Sequence, residues 1–430
     1  MSEVALVDAA PRLSHVRLVA ACTIGNALEF YDFVVYSFFA ATIGKLFFPT
    51  SSGTGQILLS LATYGVGFFL RPLGGVVLGA YADRRGRKPA TILTLMLMAA
   101  GTALIGLTPT YAQVGALAPV LVVAGRLVQG FSAGGEVGAS TTLLAEYAPP
   151  DRRGFYGSWQ LASQGLAVLV AALLAFTVSR SLPRPALESW GWRVPFLLGT
   201  LIVPIGLWLR RALEETHANV NSARTAHLST TRVVLRDHWR QVLSGVALII
   251  GGTAANAVIV LYMSTYAVRQ LKMPPATALV AGITAGVVTL VAAPLGGAFS
   301  DRLGRKAVTR WSYLVLAVVI YPAFLVLNAS PTLATLVAVV VVLGALNATG
   351  GATVIISTAE IFPTETRATG MSLVYALGVA IFGGFGQFIV TWLIQATGSP
   401  IAPAYYVMAC CLSTLTALLT IPEMAGKTLA

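Results

Sequence analysis

Along this 430-residue chain, runs of apolar residues alternate with short polar loops, and the runs fall at about 16–44, 57–82, 90–108, 114–146, 155–179, 194–209, 242–268, 276–299, 307–327, 333–361, 369–396 and 402–422. A helix rises 1.5 Å per residue, so about 20 apolar residues cross a hydrocarbon core of ~30 Å. The first run is longer than that and leaves room for tilt. The pattern predicts an all-α integral membrane protein with twelve transmembrane helices. The only long polar stretch is 210–240, which ends in an amphipathic run from Thr230 to Gln241. It reads as a cytoplasmic linker at 210–241 joining two six-helix bundles, 1–209 and 242–430. The first fifteen residues are polar and hold no apolar core followed by a small-residue cleavage site, so no signal peptide is expected.

The chain is doubled. Residues 79–88 read GAYADRRGRK and residues 297–306 read GAFSDRLGRK. Glu146, Pro149 and Arg153 recur as Glu360, Pro363 and Arg367. Two homologous halves of six apolar segments are the pattern of a secondary transporter.

Composition narrows the classes. The chain is 56% hydrophobic and 10% charged, where soluble domains carry about 25% charged residues. Mean hydropathy is +0.79. The formal charge of +12 sits at the edges of apolar segments and builds no aromatic-interleaved groove, which argues against nucleic acid as a partner. Cys22, Cys410 and Cys411 lie inside apolar runs without metal-ligand spacing, and the four histidines fall in the terminus or the linker. An enzyme is therefore disfavoured, and no cofactor is implied. No GxxxxGK[ST] loop occurs, so an ion gradient must drive transport. With the N-terminus inside, 20 of the 28 Lys and Arg residues fall in inside loops and six outside. Cytoplasmic loops carry such an excess, so both termini are placed in the cytoplasm.

Two arginines, Arg71 and Arg126, remain inside apolar segments, with the acids Glu29, Asp32 and Glu136. A charge at the bilayer centre costs at least about 2.5–3.5 kcal/mol, so it faces a cavity or a partner. Arg71 precedes Asp83 by twelve residues, about 18 Å of helix, which puts it near mid-membrane where transporter sites lie. Glu29, Asp32 and Tyr36 share one helical face, and Arg126, Gln129, Ala133 and Glu136 share another. The repeat maps Arg71 onto Thr289, Arg126 onto Val340 and Glu136 onto Gly350. The second half offers neutral polar groups instead, among them Asn256, Tyr262, Asn347 and Gln387. Charge coupling and anion recognition thus fall to the first half, and hydrogen bonds from the second complete the pocket. Purely structural pairs, Arg71 with Asp32 and Arg126 with Glu136, are the alternative; Tyr262 is equally a packing residue. The charges of the two repeated loops, Asp83, Arg84 and Arg87 with Asp301, Arg302 and Arg305, are expected to bond across the inner face as a gate. Glu146, Arg153, Glu360 and Arg367 join them.

The GxxxDRxGRK pattern, present twice, resembles the signature loop of the major facilitator superfamily. Three further stretches, GNALEFYDF at 25–33, RPLGG at 71–75 and GRLVQGFSAGGE at 125–136, resemble the metabolite:proton symporter family over essentially the whole chain. GFYGSWQLASQ at 154–164, ESWGWRVPF at 188–196 and AIFGG at 380–384 are most similar to citrate/tricarballylate symporters. The resemblance implies the major facilitator fold in a bacterial inner membrane and import of an organic acid or zwitterion with protons. Within these motifs Asn26, Tyr31, Gln160 and Gln164 join the candidate substrate contacts.

A carboxylate substrate suits these residues. Arginine's planar fork matches a carboxylate bidentately and keeps its charge when desolvated, so Arg71 and Arg126 could hold two carboxylates of one anion. An acid beside them can change protonation as substrate arrives, because burial favours its neutral form and a nearby cation its charged form. Asp32, with Glu29 or Glu136, is the expected coupling group. The expectation is a monomeric, proton-coupled importer of a di- or tricarboxylate in the lipid bilayer. Sodium coupling, export, and a zwitterion held by Phe30, Tyr31, Phe33 and Trp159 stay open. A non-transporting receptor is disfavoured by the two intact gate loops.

Overall fold

The computed structural model describes residues 15–85, 87–134, 141–142, 144–146, 148–206, 233–364 and 366–427. Among them there is no strand. Helix His15–Phe38 turns through 63° at Phe39 into Ala40–Phe47, so the long first run is one bent span. The second span is Gly53–Tyr81 and the third Arg87–Leu107. The fourth begins as Leu117–Ser132, the fifth is Arg153–Ser181, and the sixth begins as Arg193–Gly199. Then follow Trp239–Arg269, Pro275–Leu303, Arg305–Ala329, Leu333–Glu360, Arg367–Thr397 and Ala402–Thr420. Each of the twelve expected runs holds a helix. The fold is that of an all-α membrane protein with twelve spans in two six-helix halves. Most of the expected linker, 207–232, lies outside the described residues; its amphipathic end is helical from residue 233.

Local sequence explains the breaks. Pro72 has no N–H to return to the Phe68 carbonyl, so helix Gly53–Phe69 ends at Leu70 and Arg71–Arg85 restarts beyond it. Arg71 is thereby the first residue of a helix at mid-span. Gly304 joins the eighth and ninth spans at φ +94°, a conformation open to glycine and strained for any side chain. It is one of the positions that the two copies of the repeated loop share; its partner Gly86 lies outside the described residues. Two spans of the second half each widen into a π-helical turn, Asn256–Tyr262 and Ala380–Gly384. Such turns accompany functional sites, because one extra residue per turn re-aims side chains.

Two of the seams between the halves are built differently. Along the fifth and eighth spans the backbones touch. A Cβ on Gly297 would lie 2.3 Å from the Gly154 carbonyl oxygen, one on Gly286 2.5 Å from the Leu169 nitrogen, and one on Gly165 2.6 Å from the Leu290 nitrogen. Small residues are what allow helices this close in a membrane. Between the second and eleventh spans the contact is aromatic. Phe69 meets Phe385 at 5.2 Å between ring centroids, and the Phe385 and Phe68 rings fill the spaces over Gly65 and Gly384.

Candidate functional site

A cavity lies between the halves. Asn26, Glu29, Gln164 and Arg71 line its first-half wall; Asn256, Tyr313, Asn347 and Tyr375 line the other. Arg71 is 7% exposed and is stacked on two rings of its own half, with its guanidinium carbon 4.2 Å from the Phe68 centroid and 4.6 Å from that of Phe33. The stacking fixes the fork without neutralising it. A cation presented this way, on the wall of a mostly apolar cavity, fits an anionic group of a small molecule.

Arg126 is placed otherwise. It is 0% exposed and does not line the cavity. Its guanidinium sits 4.0 Å from the Tyr36 centroid, 5.0 Å from Tyr64 and 5.1 Å from Phe33, inside an aromatic box. Its Nη1 donates to Gln129 Oε1 at 2.7 Å, and Gln129 Nε2 donates to Thr102 Oγ1 at 2.8 Å. Thr102 in turn bonds Asp32. The other Asp32 oxygen points at Gly199, where a Cβ would lie 2.3 Å away, and has no hydrogen-bond partner among the described residues. Asp32, Thr102, Gln129 and Arg126 therefore form one buried polar chain across the first, third and fourth spans. Both arginines are stacked against the Phe33 ring.

Other candidate residues divide in the same way. Asn26 donates to Ser163 Oγ at 2.6 Å and to the Gln160 carbonyl at 3.2 Å, and accepts from Gln160 Nε2 at 2.8 Å. Asn26 and Gln160 thus tie the first span to the fifth. Gln164 Nε2 reaches the Tyr375 hydroxyl across the cavity at 3.5 Å. Tyr31 is a packing residue, its hydroxyl on the Pro195 carbonyl at 2.8 Å. Tyr262 is 1% exposed inside the π turn and does not line the cavity. Gln387 accepts from Ser37 at 2.9 Å, a bond between the halves at the level where the first span bends. Glu136 lies outside the described residues, as do the side chains of Asp83, Arg84 and Arg87.

The ends of the helices near the second signature loop carry charges paired across the halves. Arg367 Nη1 lies 2.9 Å from Glu146 Oε1, and Arg153 lies 3.7 Å from Glu360. The repeated acid and arginine of each half are therefore exchanged. Arg305 bonds both Glu360, at 3.2 Å, and Asp301, at 2.8 Å; Asp301 also accepts the backbone N–H groups of Gly154 and Phe155 at 2.7 and 2.8 Å. Arg302 is exposed. The chain's last described segment seals the layer: Arg153 donates to the Lys427 carbonyl at 3.0 Å, and Glu423 accepts from the N–H groups of Arg305 and Lys306 at 2.9 Å. Partial burial pushes the Glu423 carboxyl up, but hydrogen bonds from the backbone N–H groups of Lys306, Ala425, Arg305 and Met424 outweigh it and hold it below its ordinary range.

Comparison with known proteins agrees with this architecture. The sequence profile of the sugar (and other) transporter family matches residues 18–218 and 209–430. The chain belongs to that family of the major facilitator superfamily. Similar relatives include the citrate-proton symporter of Klebsiella pneumoniae, 40% identical over 89% of this chain and 86% of the relative. That of Salmonella typhi is 37% identical over 92% and 91%. The ectoine/proline transporter ProP of Corynebacterium glutamicum is 33% identical over 94% and 84%. Among solved structures, the E. coli proton:xylose symporter XylE bound to 6-bromo-6-deoxy-D-glucose matches at a TM-score of 0.75 and 20% identity, covering 96% and 97% of the two chains. In this major facilitator chain, Thr102, Tyr64 and Tyr313 stand at the buried polar chain or the cavity wall although sequence reasoning did not single them out. A threonine and two tyrosines in apolar helices carry no periodic signal of their own. Phe33, expected only as part of an aromatic cage, instead stacks against both arginines.

Proposed function

We propose that this protein imports a di- or tricarboxylate of the citrate/tricarballylate class with protons, by alternating access, across a bacterial inner membrane. The observation that carries the reading is the separation of two charged stations in one half. Arg71 faces the cavity, while the chain from Asp32 to Arg126 is buried and does not line it. In this reading Arg71 binds a carboxylate, Asp32 takes and releases the coupling proton, and Arg126, through Gln129 and Thr102, answers its charge. The relatives named as citrate-proton symporters support the substrate class. The halves, 1–209 and 242–430 joined by 210–241, rock against each other as a monomer with both termini in the cytoplasm. The exchanged pairs Glu146–Arg367 and Arg153–Glu360 part when the inner face opens. Asp83, Arg84 and Arg87 act there as counterparts of Asp301, Arg302 and Arg305, and Glu29 and Glu136 assist coupling.

The test is uptake of labelled citrate into proteoliposomes with and without an inward proton gradient, in competition with tricarballylate, α-ketoglutarate, shikimate and betaine. Gradient-driven uptake blocked by tricarballylate is expected. Flux of betaine or shikimate without citrate flux would discard the substrate class and keep the mechanism. A sodium gradient that drives uptake in place of protons would discard the coupling ion.

A further inference from the structure

Tyr313 belongs to the ninth span, yet its hydroxyl reaches the cavity wall. It does so through a window of glycines. A Cβ on Gly252 of the seventh span would lie 2.4 Å from the hydroxyl oxygen, and one on Gly350 of the tenth would meet the ring at 2.9 Å. Gly351 leaves the hydroxyl 3.7 Å clear of its own added Cβ. Tyr313 is 0% exposed, and its hydroxyl has no hydrogen-bond partner among the described residues. Asn347, on the tenth span and also on the cavity wall, leaves its Oδ1 without one. Buried polar atoms are rarely left so, and two on one cavity wall point to a ligand that satisfies both.

Their chemistry specifies that ligand. A phenol hydroxyl donates and an amide oxygen accepts. A carboxylate has no proton for Asn347 Oδ1 to accept, whereas a protonated carboxylic acid offers an O–H to the amide and a carbonyl to the phenol. Charge leads the same way. Among the described residues Arg71 is the one cation on the wall; the other titratable groups there are Glu29 and the phenols Tyr64, Tyr313 and Tyr375, with Cys411 of the twelfth span behind Tyr313. A second carboxylate in this cavity would be desolvated without a cation of its own, a costly arrangement that protonation removes. We infer that Tyr313 and Asn347 form a neutral subsite that receives one acid group of the substrate in its protonated form, while Arg71 holds another as a carboxylate. The inference rests on the carboxylate reading above and deepens it: one transported proton rides on the substrate itself.

An amide is a neutral, non-titrating counterpart of a protonated acid, and this provides the test. In proteoliposomes holding the full chain, unlabelled tricarballylate and its monoamide compete against labelled tricarballylate at about pH 5.5 and 7.5. The parent acid is expected to weaken at least about tenfold at the higher pH, as its protonated form is depleted. The monoamide is expected to hold within about twofold. Tyr313→Phe should raise KM for the parent about tenfold with Vmax unchanged, as for a lost hydrogen bond in a buried site. A monoamide that fails to compete while the parent competes equally at both pH values overturns the subsite, and needs no variant to show it. So does an unaltered KM in a well-folded Tyr313→Phe protein. Absence of any carboxylate uptake by the unaltered protein overturns the carboxylate reading first, and this one with it.

Discussion

Arg71 and Arg126 are the same residue type, in the same half, both stacked against one phenyl ring, and their surroundings differ. Arg71 opens a helix that Pro72 has broken, so its fork reaches the cavity with rings beneath it. Arg126 sits within an unbroken helix, boxed by Tyr36, Tyr64 and Phe33, and its polar contacts run inward to Gln129. A guanidinium on a cavity wall can exchange one anion for another. A guanidinium in a closed box can respond only to what happens along its own hydrogen-bond chain. In the proposed reading the contrast separates recognition from coupling without separating them far, because Phe33 touches both.

The sharpest way to break this contrast is Arg71→Gln. Loss of one partner of a buried charge pair costs about 2–5 kcal/mol, so KM for a tricarboxylate should rise about thirtyfold or more in uptake kinetics. Arg71→Lys should recover little of it, since a point charge replaces a stacked fork. Binding unaffected by Arg71→Gln would move recognition elsewhere. Next comes Asp32→Asn, expected to abolish uphill accumulation while leaving substrate exchange across the liposome membrane. A variant that still accumulates substrate removes Asp32 from coupling. Phe33→Ala addresses the shared ring: it should weaken uptake about three- to tenfold, the range of one or two cation–π contacts, and lower the protons moved per substrate. An effect on KM alone would show that the ring serves only Arg71.

The smallest expected effect lies outside the membrane, at Glu423. Its carboxyl is held below its ordinary value of 4.5, so its contribution is complete above that pH and is lost as pH falls through the lower, folded-state value. Glu423→Gln should speed hydrogen exchange of the Arg305 and Lys306 amides about threefold at neutral pH. Acidification of the unaltered protein should close the gap. Equal exchange at neutral pH would detach the tail from the charged layer.

The spans and the doubling were legible because a bilayer enforces long apolar runs and a repeat leaves paired motifs. The unusual charges were legible for the same reason: Arg71, Arg126 and Asp32 stand out against lipid. Their grouping was not. The stripe of Arg126 and Gln129 gives a helical face without saying whether that face meets a cavity or a neighbour, and the neighbour is Thr102, an unremarkable residue in an apolar run. The pairing of Glu146 with Arg367 rather than Arg153 depends on how the halves meet, which no spacing within one half encodes. The π turn over Asn256–Tyr262 is likewise silent in a sequence of ordinary helix formers. Tyr313 reaches the cavity through glycines on two other helices, so its role exists only once three spans are assembled.

The backbone contact of the fifth and eighth spans bears on how this molecule can diversify. A seam made of Gly154, Gly165, Gly286 and Gly297 presents main chain to main chain, so its fit is independent of which cargo is being carried. Residues such as Asn347 and Tyr313 lie on other helices and can vary without disturbing it. Laboratory selection for a new cargo can therefore be confined to the cavity wall, with the glycine positions held constant, and each surviving variant should inherit the same mechanical cycle.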